Sequence, residues 1–543
     1  MKIQVRINEE GALRNQRHAF SNRFTLVSEL LQNARRAGAT GIEIGYDTTT
    51  QVLRVHDDGR GIDDFQKLLS FHESGWDAAT CADERPFGIG FSKCLYAAAR
   101  CIVTSGCRRV DIDSAAALSR ELIEVEELAE AIAGTRVELH GVNLPELGAR
   151  IEEICAGFPV PVRFNGRALE RRLAESNLAL QASDIGNMHL AGTRDGRYSR
   201  DTLVFLQGFC VLKPSWYGAE EVNVVHLDSR HFTARLPDRD NLIDEDLQVR
   251  RIDAELKACW RRTLETAKTQ LSPEHFVERY YLAARAWGHL DLLNDLDILP
   301  ASLCETIVGY PIQAEHGDRD FLSPADSMPT RDDVESGAVK LVVLDDVGDD
   351  NAAHWMLARN QGWRVFDWIG VHDEHWSRHH VRFLEEESVK VEPVAESLRT
   401  ELEGRWVWPT LILCEAVRVK IGADEVLISD AAVCHDGSVY VPASETSGAA
   451  VRQLSSFTDE HDQFLDADCD ADSEALADLL FRLRSADPVQ TLDSLLQGLR
   501  LGRYPLLQGR AFRLSIGVGA APGQTIELID GAPPTQGGGD AKR

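Results

Sequence analysis

Four short segments rich in glycine or in polar side chains interrupt the regular hydrophobic patterns of the first 140 residues. Between them, apolar residues recur at helical spacing in two stretches and at strand-like spacing in four. The predicted elements are helices at 24–38 and 95–99 and strands at 41–46, 52–56, 101–105 and 135–140. Helices and strands in this order favour an α+β sandwich, in which one layer of helices covers one mixed sheet.

The first segment places Glu29 and Asn33 four residues apart in the first predicted helix, which Gly38 is positioned to end. Residues at this spacing share one face of a helix. An Asn carbonyl oxygen suits Mg²⁺, which prefers oxygen ligands. A Glu close to a metal-bound phosphate can orient or deprotonate a water molecule. On its own, the pair fits an ordinary solvated helix surface equally well.

The second segment, residues 57–62, directly follows the strand predicted at 52–56. A carboxylate at a strand end, here Asp57, can accept a hydrogen bond from the exocyclic amine of a base. Gly59 and Gly61 would let the backbone approach a flat ring closely. Because Asp-Gly pairs are also common in tight turns, this segment alone is consistent with a simple turn.

The third segment runs from Phe87 to Lys93 and precedes the helical sequence that continues to residue 99. Glycines before a helix N-terminus, here Gly88 and Gly90, expose backbone N–H groups to an anion. Lys93 would add positive charge against phosphates. Taken alone, the segment fits a structural turn into a buried helix. The fourth segment, residues 134–135, only opens the last predicted strand.

Together, in this order and spacing, the four segments resemble the GHKL superfamily, whose members include DNA gyrase B, HtpG-type heat-shock chaperones, MutL-type mismatch-repair proteins and histidine kinases. Glu29 and Asn33 match the N-box, and residues 57–61 match the D-x-G-x-G box. Residues 87–91, Phe-Gly-Ile-Gly-Phe, match the second glycine box in wording closest to the chaperone type. Residues 134–135 match the Gly-Thr of the closing strand. The resemblance covers about a quarter of the chain.

The resemblance implies a Bergerat fold that binds ATP with Mg²⁺ and hydrolyses it to ADP and phosphate. Glu29 would be the general base, Asn33 would hold Mg²⁺, and Asp57 would bind the adenine amino group with help from Thr135. Residues 63–87 would form the lid over the nucleotide. The implied nucleotide-contacting residues are Asn33, Asp57, Gly59, Gly61, Ile62, Phe87, Gly88, Ile89, Gly90, Phe91, Lys93 and Thr135.

Two positions depart from the superfamily pattern. Many relatives carry an acid three residues after the N-box Asn, where this chain has Arg36. The chaperone type carries an aromatic residue after the second glycine box, where this chain has Ser92. We expect the first departure to alter the ion pairs of the pocket while the catalytic group is retained. The subfamily stays unassigned.

Beyond the ATPase-like segment the pattern predicts three further regions, the second of them containing a β-α-β pattern over 339–369. The predicted domains are an ATP-binding domain at 1–155, a strand-rich transducer-like region with helices at 156–295, an acidic C-terminal α/β region at 296–510, and a terminal strand with a disordered tail at 511–543. Shorter predictions are strands at 1–7, 158–164, 202–212 and 222–227, helices at 246–271, 273–293, 475–484 and 489–499, a linker at 317–337 and an acidic loop at 457–474.

Several other motifs do not support a site. His375 and His379 would share a metal if helical, but the H-E-x-x-H order is missing, so a solvated helix face is preferred. The alternating acids from Asp466 to Asp472 begin like an EF-hand loop. Its glycine and bidentate Glu positions are Ala471 and Ala477, so this segment is interpreted as an acidic linker with Asp472 or Ser473 near a helix N-cap. The sequence contains no P-loop.

Net charge constrains the partners. The chain carries −29 overall, and 25 of its basic and 28 of its acidic side chains lie in residues 1–200, so most of the excess lies beyond them. An acidic surface repels phosphate backbones, which makes nucleic acid an unlikely ligand of the C-terminal part without excluding it. The 11 scattered cysteines and the absence of an apolar run that could span a membrane or act as a secretory signal predict a cytoplasmic protein without a membrane partner.

These features favour an ATP-driven conformational machine that is chaperone-like, acts on a protein client or partner and forms a nucleotide-dependent homodimer. A MutL-like DNA-linked ATPase and a nucleotide-gated scaffold with little turnover are the alternatives. A histidine kinase ranks lower because its ATPase domain usually follows a dimerisation helix. In several GHKL proteins a basic residue of the second domain reaches the γ-phosphate, and Arg235 or Arg239 would do so here, although a structural ion pair is the simpler interpretation.

Overall fold

The chain divides into two compact units, residues 1–296 and 297–543. The computed structural model describes residues 3–4, 8–16, 23–71, 73, 75–84, 90–193, 195–216, 222–235, 240–312, 319–454, 466–518 and 523–530. Within these residues, no helix is both long and apolar enough to cross a membrane.

A six-stranded mixed sheet organises the first part of the N-terminal unit, in the order β3-β4-β2-β1-β5-β6. Its strands are β1 (Ile42–Asp47), β2 (Val52–Asp57), β3 (Arg100–Asp113), β4 (Val125–His140), β5 (Val162–Phe164) and β6 (Arg167–Ala168). The helices of this part are α1 (Glu9–Gln16), α2 (Thr25–Arg36), α3 (Ala78–Glu84), α4 (Ser92–Ala97), α5 (Ser114–Leu118) and α6 (Leu147–Cys155). Only β1 and β5 run parallel, so the predicted mixed sheet with a helical layer is confirmed.

The helix α2 packs on the sheet because its apolar residues recur on one face. Leu26, Val27, Leu30 and Leu31 are all buried in a core shared with the strands. Burying each such side chain contributes about 1.5–3 kcal/mol. The helix ends where predicted, since Gly38 adopts a left-handed φ of 75° after the last turn.

The second part of the N-terminal unit contains a five-stranded sheet in the order β10-β9-β11-β8-β7. Its elements are β7 (Gln181–Ser183), β8 (Gly186–His189), β9 (Thr202–Leu206), β10 (Phe209–Leu212), β11 (Asn223–Leu227), α7 (Glu245–Gln270) and α8 (Pro273–Trp287). The strand predicted at 202–212 is in fact the hairpin β9–β10, which turns at Gln207 and Gly208 with φ of 56° and 88°. The strand predicted at 158–164 shrinks to β5, because Pro159 and Pro161 have no N–H to donate to a ladder.

The C-terminal unit is an α/β region with a β-α-β crossover, as predicted: β14 and β15 pair in parallel and α10 connects them. Its elements are β12 (Cys304–Ile307), β13 (Leu322–Pro324), α9 (Arg331–Glu335), β14 (Leu341–Val343), α10 (Ala352–Gln361), β15 (Arg364–Phe366), β16 (Val381–Phe383), β17 (Val389–Val394), β18 (Leu398–Glu401), β19 (Thr410–Cys414), β20 (Ala416–Ile421), β21 (Asp424–Ile428), β22 (Val433–His435), β23 (Ser438–Pro442), α11 (Asp466–Arg484), α12 (Pro488–Gln497), β24 (Ala511–Ile516) and β25 (Gln524–Asp530).

The prediction of a linker at 317–337 was wrong for the residues of this range that the structure describes. Residues 322–324 form β13, which pairs with β12 in a five-stranded sheet. Helix α9 follows and is started by a capping box, in which the Thr330 side chain accepts from the N–H of Asp333 and the Asp333 side chain accepts from the N–H of Thr330. These two hydrogen bonds satisfy N–H groups at the start of α9, so a helix forms here although the acidic, proline-containing composition suggested a linker.

The acidic loop predicted at 457–474 was also wrong from residue 466 onward, because α11 begins there. Asp472 lies inside this helix and is 1 % exposed, so it is not an N-cap. Its carboxylate accepts hydrogen bonds from the N–H groups of Arg405, Trp406 and Val407. The acid is therefore a structural acceptor for a neighbouring loop. Residues 455–465 lie outside the described residues.

The histidine cluster is not a solvated helix face. His375 is 1 % exposed and accepts from the N–H of Ser377 at the start of a 3-10 helix, Trp376–His380, whereas His379 is exposed. One of the two rings is therefore buried and the other is exposed to solvent. Across the described part of the chain, no group of three or more His, Cys, Asp or Glu could hold a metal ion. Most of the strand predicted at 1–7 and the tail from Gly531 lie outside the described residues.

Candidate nucleotide site

Helix α2 carries two polar residues into the lining of a cavity that it shares with the inner strands β2 and β4. Glu29 is 4 % exposed, and Asn33 follows one turn later and is partly exposed. Both line the cavity, which has a volume of about 470 Å³. A carboxylate is rarely buried this deeply without a chemical partner, since desolvation disfavours its charge. The predicted helix face is therefore present.

Asp57 ends β2 and is 8 % exposed at the floor of the same cavity. Its Oδ1 accepts from the N–H of Gly59 at 2.9 Å. Burial raises the pKa of this carboxyl, and the Gly59 hydrogen bond opposes that shift only in part. The neighbouring Asp58 has a structural role. Its side chain accepts hydrogen bonds from the N–H groups of Thr40 and Gly41 and thereby stabilises the loop before β1.

Two glycines allow the chain to turn beneath Asp57. A methyl group on Gly59 would lie 2.7 Å from the Cβ of Ala37, on the C-terminal side of α2. Gly61 has a φ of 81°, and a methyl group there would lie 2.8 Å from Ser105 Oγ. Larger residues would push the turn away from the helix and the sheet. Gly61 and the following Ile62 both line the cavity.

Ser105 ties the turn to the strand pair and was missed by sequence reasoning. Its hydroxyl accepts from the N–H of Ile62, donates to the carbonyl of Gly134 and lies 3.2 Å from Thr135 Oγ1. A lone serine in an apolar strand carries no spacing signal, so only the pairing of β3 with β4 reveals it. Thr135 pairs with Asp57 across β2 and β4 and lines the cavity beside it.

Residues 21–145 match the family model described as histidine kinase-, DNA gyrase B-, and HSP90-like ATPase. The N-terminal domain is a GHKL ATPase domain. A search of curated proteins returns no match to this chain. Membership of this superfamily supports ATP binding by the cavity.

The second glycine segment is described from Gly90 onward, and Phe87, Gly88 and Ile89 lie outside the described residues. Gly90 lies directly against the catalytic candidate, since a methyl group on it would be 2.6 Å from Glu29 Oε2. Phe91 lines the cavity and packs on the core. Lys93 is 4 % exposed in the first turn of α4 and does not belong to the cavity lining.

The lid predicted at 63–87 covers one wall of the cavity in its described part. Residues 65–68 form a 3-10 helix, and Trp76 and Asp77 precede α3. Arg60 from the glycine turn binds this wall, with its guanidinium 5.3 Å from the Trp76 ring and 3.3 Å from Asp77 Oδ2. The lid thus contributes an aromatic surface and an exposed ion pair to the nucleotide cavity.

Arg36, which stands where many relatives carry an acid, has an acidic partner in the lid. Glu84 Oε2 lies 2.7 Å from Arg36 Nε and 2.6 Å from Arg35 Nη2. Burial opposes ionisation of Glu84, but the hydrogen bonds and charges of the two arginines outweigh it and hold the pKa of this carboxyl below its ordinary value. The expected change of ion pairs therefore takes this form: two arginines of α2 pair with one acid of α3.

The second-domain arginines give no described contact with the cavity. Arg235 is exposed, lies 3.5 Å from Asp240 and does not line the cavity. Arg239 lies outside the described residues. A role for either residue at the γ-phosphate stays a prediction.

Proposed function

We propose that this protein hydrolyses ATP in the GHKL cavity and uses the cycle to change conformation. The observation that carries the proposal is the convergence of Glu29, Asn33, Asp57 and Thr135 on one cavity, with the backbone of Gly90 against the Glu29 carboxylate. These groups come from a helix, two strands and a loop. Convergence of buried polar groups in one concave site is the expected signature of a binding and catalytic centre.

The residues divide the work by their chemistry. The ionised Asp57 accepts the adenine amino group, and Thr135 assists. Glu29 takes a proton from the attacking water, for which a carboxylate next to the phosphate is suited. The residues present also fit Mg²⁺, because Asn33, whose amide carries an oxygen that can bind the ion, lines the same cavity as Glu29. When bound, Mg²⁺ would neutralise phosphate charge.

The test is a comparison of two variants with the unchanged protein. Glu29→Gln keeps the shape of the side chain and removes the base, so ATP binding should persist while phosphate release falls by about 10²–10⁴-fold. Asp57→Asn should lose ATP binding itself. Hydrolysis by Glu29→Gln at the normal rate would exclude the proposed base. Binding without turnover by the unchanged protein would favour the nucleotide-gated scaffold.

The finer role that we propose is chaperone-like work on a protein client, with ATP promoting a homodimer in the cytoplasm. It rests on the Phe-Gly-Ile-Gly-Phe wording and on the acidic charge of the chain beyond residue 200. A MutL-like, DNA-linked role is the second candidate. Glu29→Gln loaded with ATP should enrich a protein partner relative to Asp57→Asn, whereas ATP-dependent retention of duplex DNA at physiological salt would favour the second candidate.

A further inference from the structure

One buried amide joins three parts of the N-terminal unit beside the proposed base. Gln32 is 1 % exposed and lies on α2, three residues after Glu29. Its Nε2 donates to Gln207 Oε1 at 2.5 Å and to Glu84 Oε2 at 3.4 Å. Gln207 lies in the turn between β9 and β10, and Glu84 is the last residue of α3. The Gln32 side chain thus bridges two elements that are far apart in sequence.

The lid side of this junction is strongly charged. Glu84 is 14 % exposed and receives Arg35 and Arg36 on the same oxygen that Gln32 contacts. Arg35 Nε also donates to Gln32 Oε1 at 3.4 Å, which fixes the amide in one orientation. Charge-assisted hydrogen bonds in a partly desolvated site are the stronger kind. The end of α3 is consequently clamped to the last turns of α2.

The other side of this junction is the turn between β9 and β10, which is packed against the ATPase domain. Gly208, next to Gln207, turns so closely over the chain that a methyl group on it would lie 2.6 Å from Pro159 Cδ. The following Phe209 is buried in the core of the ATPase domain and packs against Phe158, with ring centroids 5.3 Å apart and an interplanar angle of 42°. This packing therefore holds Gln207 in place beside Gln32.

We propose that Glu84 and Gln207 are positioning residues for Glu29. They hold the same face of α2 from the lid and from the second domain, so that the position of the lid helix and the position of the second sheet are coupled through Gln32. This inference rests on the proposed function. The Glu29 carboxylate lies close to the backbone of Gly90, so a small shift of α2 against the lid changes the catalytic geometry.

The variants are chosen to keep the backbone intact. Glu84→Gln keeps the shape of the side chain and removes its charge. Gln207→Asn shortens the amide and retains a residue type that tolerates a positive φ. The matched control is Glu153→Gln, which breaks an exposed ion pair with Lys213, 2.6 Å long, outside the cavity lining of the same unit. Exposed pairs of this kind have little effect on stability.

Steady-state hydrolysis gives the first readout. Glu84→Gln and Gln207→Asn should each lower kcat by about tenfold with KM for ATP nearly unchanged, and the double variant should lose less than the product of the two effects because both act through Gln32. Glu153→Gln should match the unchanged protein. If Glu29→Gln abolishes turnover while Glu84→Gln and Gln207→Asn behave like Glu153→Gln, the positioning role is excluded and the proposed function survives.

Hydrogen exchange gives a readout that does not need turnover. Glu84→Gln should increase exchange in the β9–β10 hairpin, at residues 202–212, as well as in α3. A purely local role for Glu84 would change α3 alone, and this result would overturn the coupling. Loss of hydrolysis by the unchanged protein together with increased exchange in the hairpin would remove the proposed function and leave the coupling itself in place.

Discussion

At the residue scale, the site depends on a close approach at Gly90 and on the burial of Asp57. Gly90 has no side chain because the Glu29 carboxylate occupies the space where a Cβ substituent would go. Asp57 is held at a strand end where burial, rather than a nearby charge, dominates its ionisation. Each of these statements gives a measurable consequence.

Gly90→Ala should abolish most of the hydrolysis while the protein stays folded. The added methyl group would lie 2.6 Å from the end of a flexible side chain, so the Glu29 carboxylate would move and the backbone would not. Displacement of a catalytic group by about 1 Å costs roughly 10²-fold in rate. Phosphate release and the thermal midpoint report the two effects separately. Gly148→Ala in α6, where the nearest atom is 3.6 Å away, should change neither.

Binding of ATP should weaken as the pH falls through the pKa of Asp57. This pKa is raised above the ordinary value of 3.8, so the carboxylate is lost at a higher pH than for an exposed aspartate, and with it the acceptor for the adenine amine. Because the folded state holds the proton more tightly, the same group favours folding at low pH and disfavours it as the pH rises.

Calorimetric titration of the protein with ATP across the acidic pH range measures this change of affinity, and inosine triphosphate is the control nucleotide. That nucleotide has the same phosphates but no exocyclic amine, so protonation of Asp57 should not weaken its binding. Parallel losses of affinity for both nucleotides would assign the pH dependence to the phosphates instead.

At the element scale, acids with little exposure accept hydrogen bonds from donors on other elements. Asp472 on α11 caps three successive N–H groups of the loop before β19. Glu84 at the end of α3 has a similar position with respect to α2, although its donors are side chains. In both cases an acid in an acidic segment stabilises one particular packing between elements.

Asp472→Ala should destabilise the C-terminal unit by about 3–5 kcal/mol, because three N–H groups would lose their common, buried acceptor. Asp470→Asn is the control, since Asp470 lies on the same helix as Asp472 and forms a partly exposed ion pair with Arg452, worth about 1 kcal/mol at most. Urea unfolding of both variants measures the difference. Equal midpoints for the two variants would contradict the structural role of Asp472.

At the scale of the whole molecule, exposed apolar side chains concentrate near the C-terminus. Helix α12 has no buried residue, and β24 pairs with β25 so that Phe512 faces Leu528 and Leu514 faces Ile526 on one apolar face. Phe512, Ile526 and Leu528 are each between 44 % and 64 % exposed. Contiguous apolar surface of this kind is unusual on a monomer.

Removal of residues 488–543 should therefore leave the rest of the fold intact and reduce the binding of a hydrophobic dye. Stability should change by no more than about 0.5 kcal/mol, as for surface changes away from a core. Dye fluorescence and thermal unfolding measure both quantities. Removal of 531–543 alone should leave dye binding unchanged. A large fall in the thermal midpoint of the longer deletion would mean that the segment belongs to a core.

The sequence by itself determined the local parts of this protein: the face of α2, the strand that ends at Asp57, the left-handed stop at Gly38 and the crossover around α10. These depend on hydrophobic period and on the φ that a residue permits, both of which are properties of neighbouring residues. The residues Glu29, Asn33, Asp57 and Thr135 were selected by the resemblance of their sequence segments to the GHKL superfamily, and the fold brings them to one cavity.

The tertiary structure alone decided which polar groups meet across distance. Ser105 beneath the glycine turn, Glu84 opposite Arg36, and Asp472 inside a helix carry no spacing signal, because their partners come from other strands, helices and loops. Composition misled at Asp472 for the same reason, since a run of acids predicts solvent exposure unless donors elsewhere in the fold satisfy one of them. Long-range pairing of buried polar groups was therefore the information that the sequence pattern lacked.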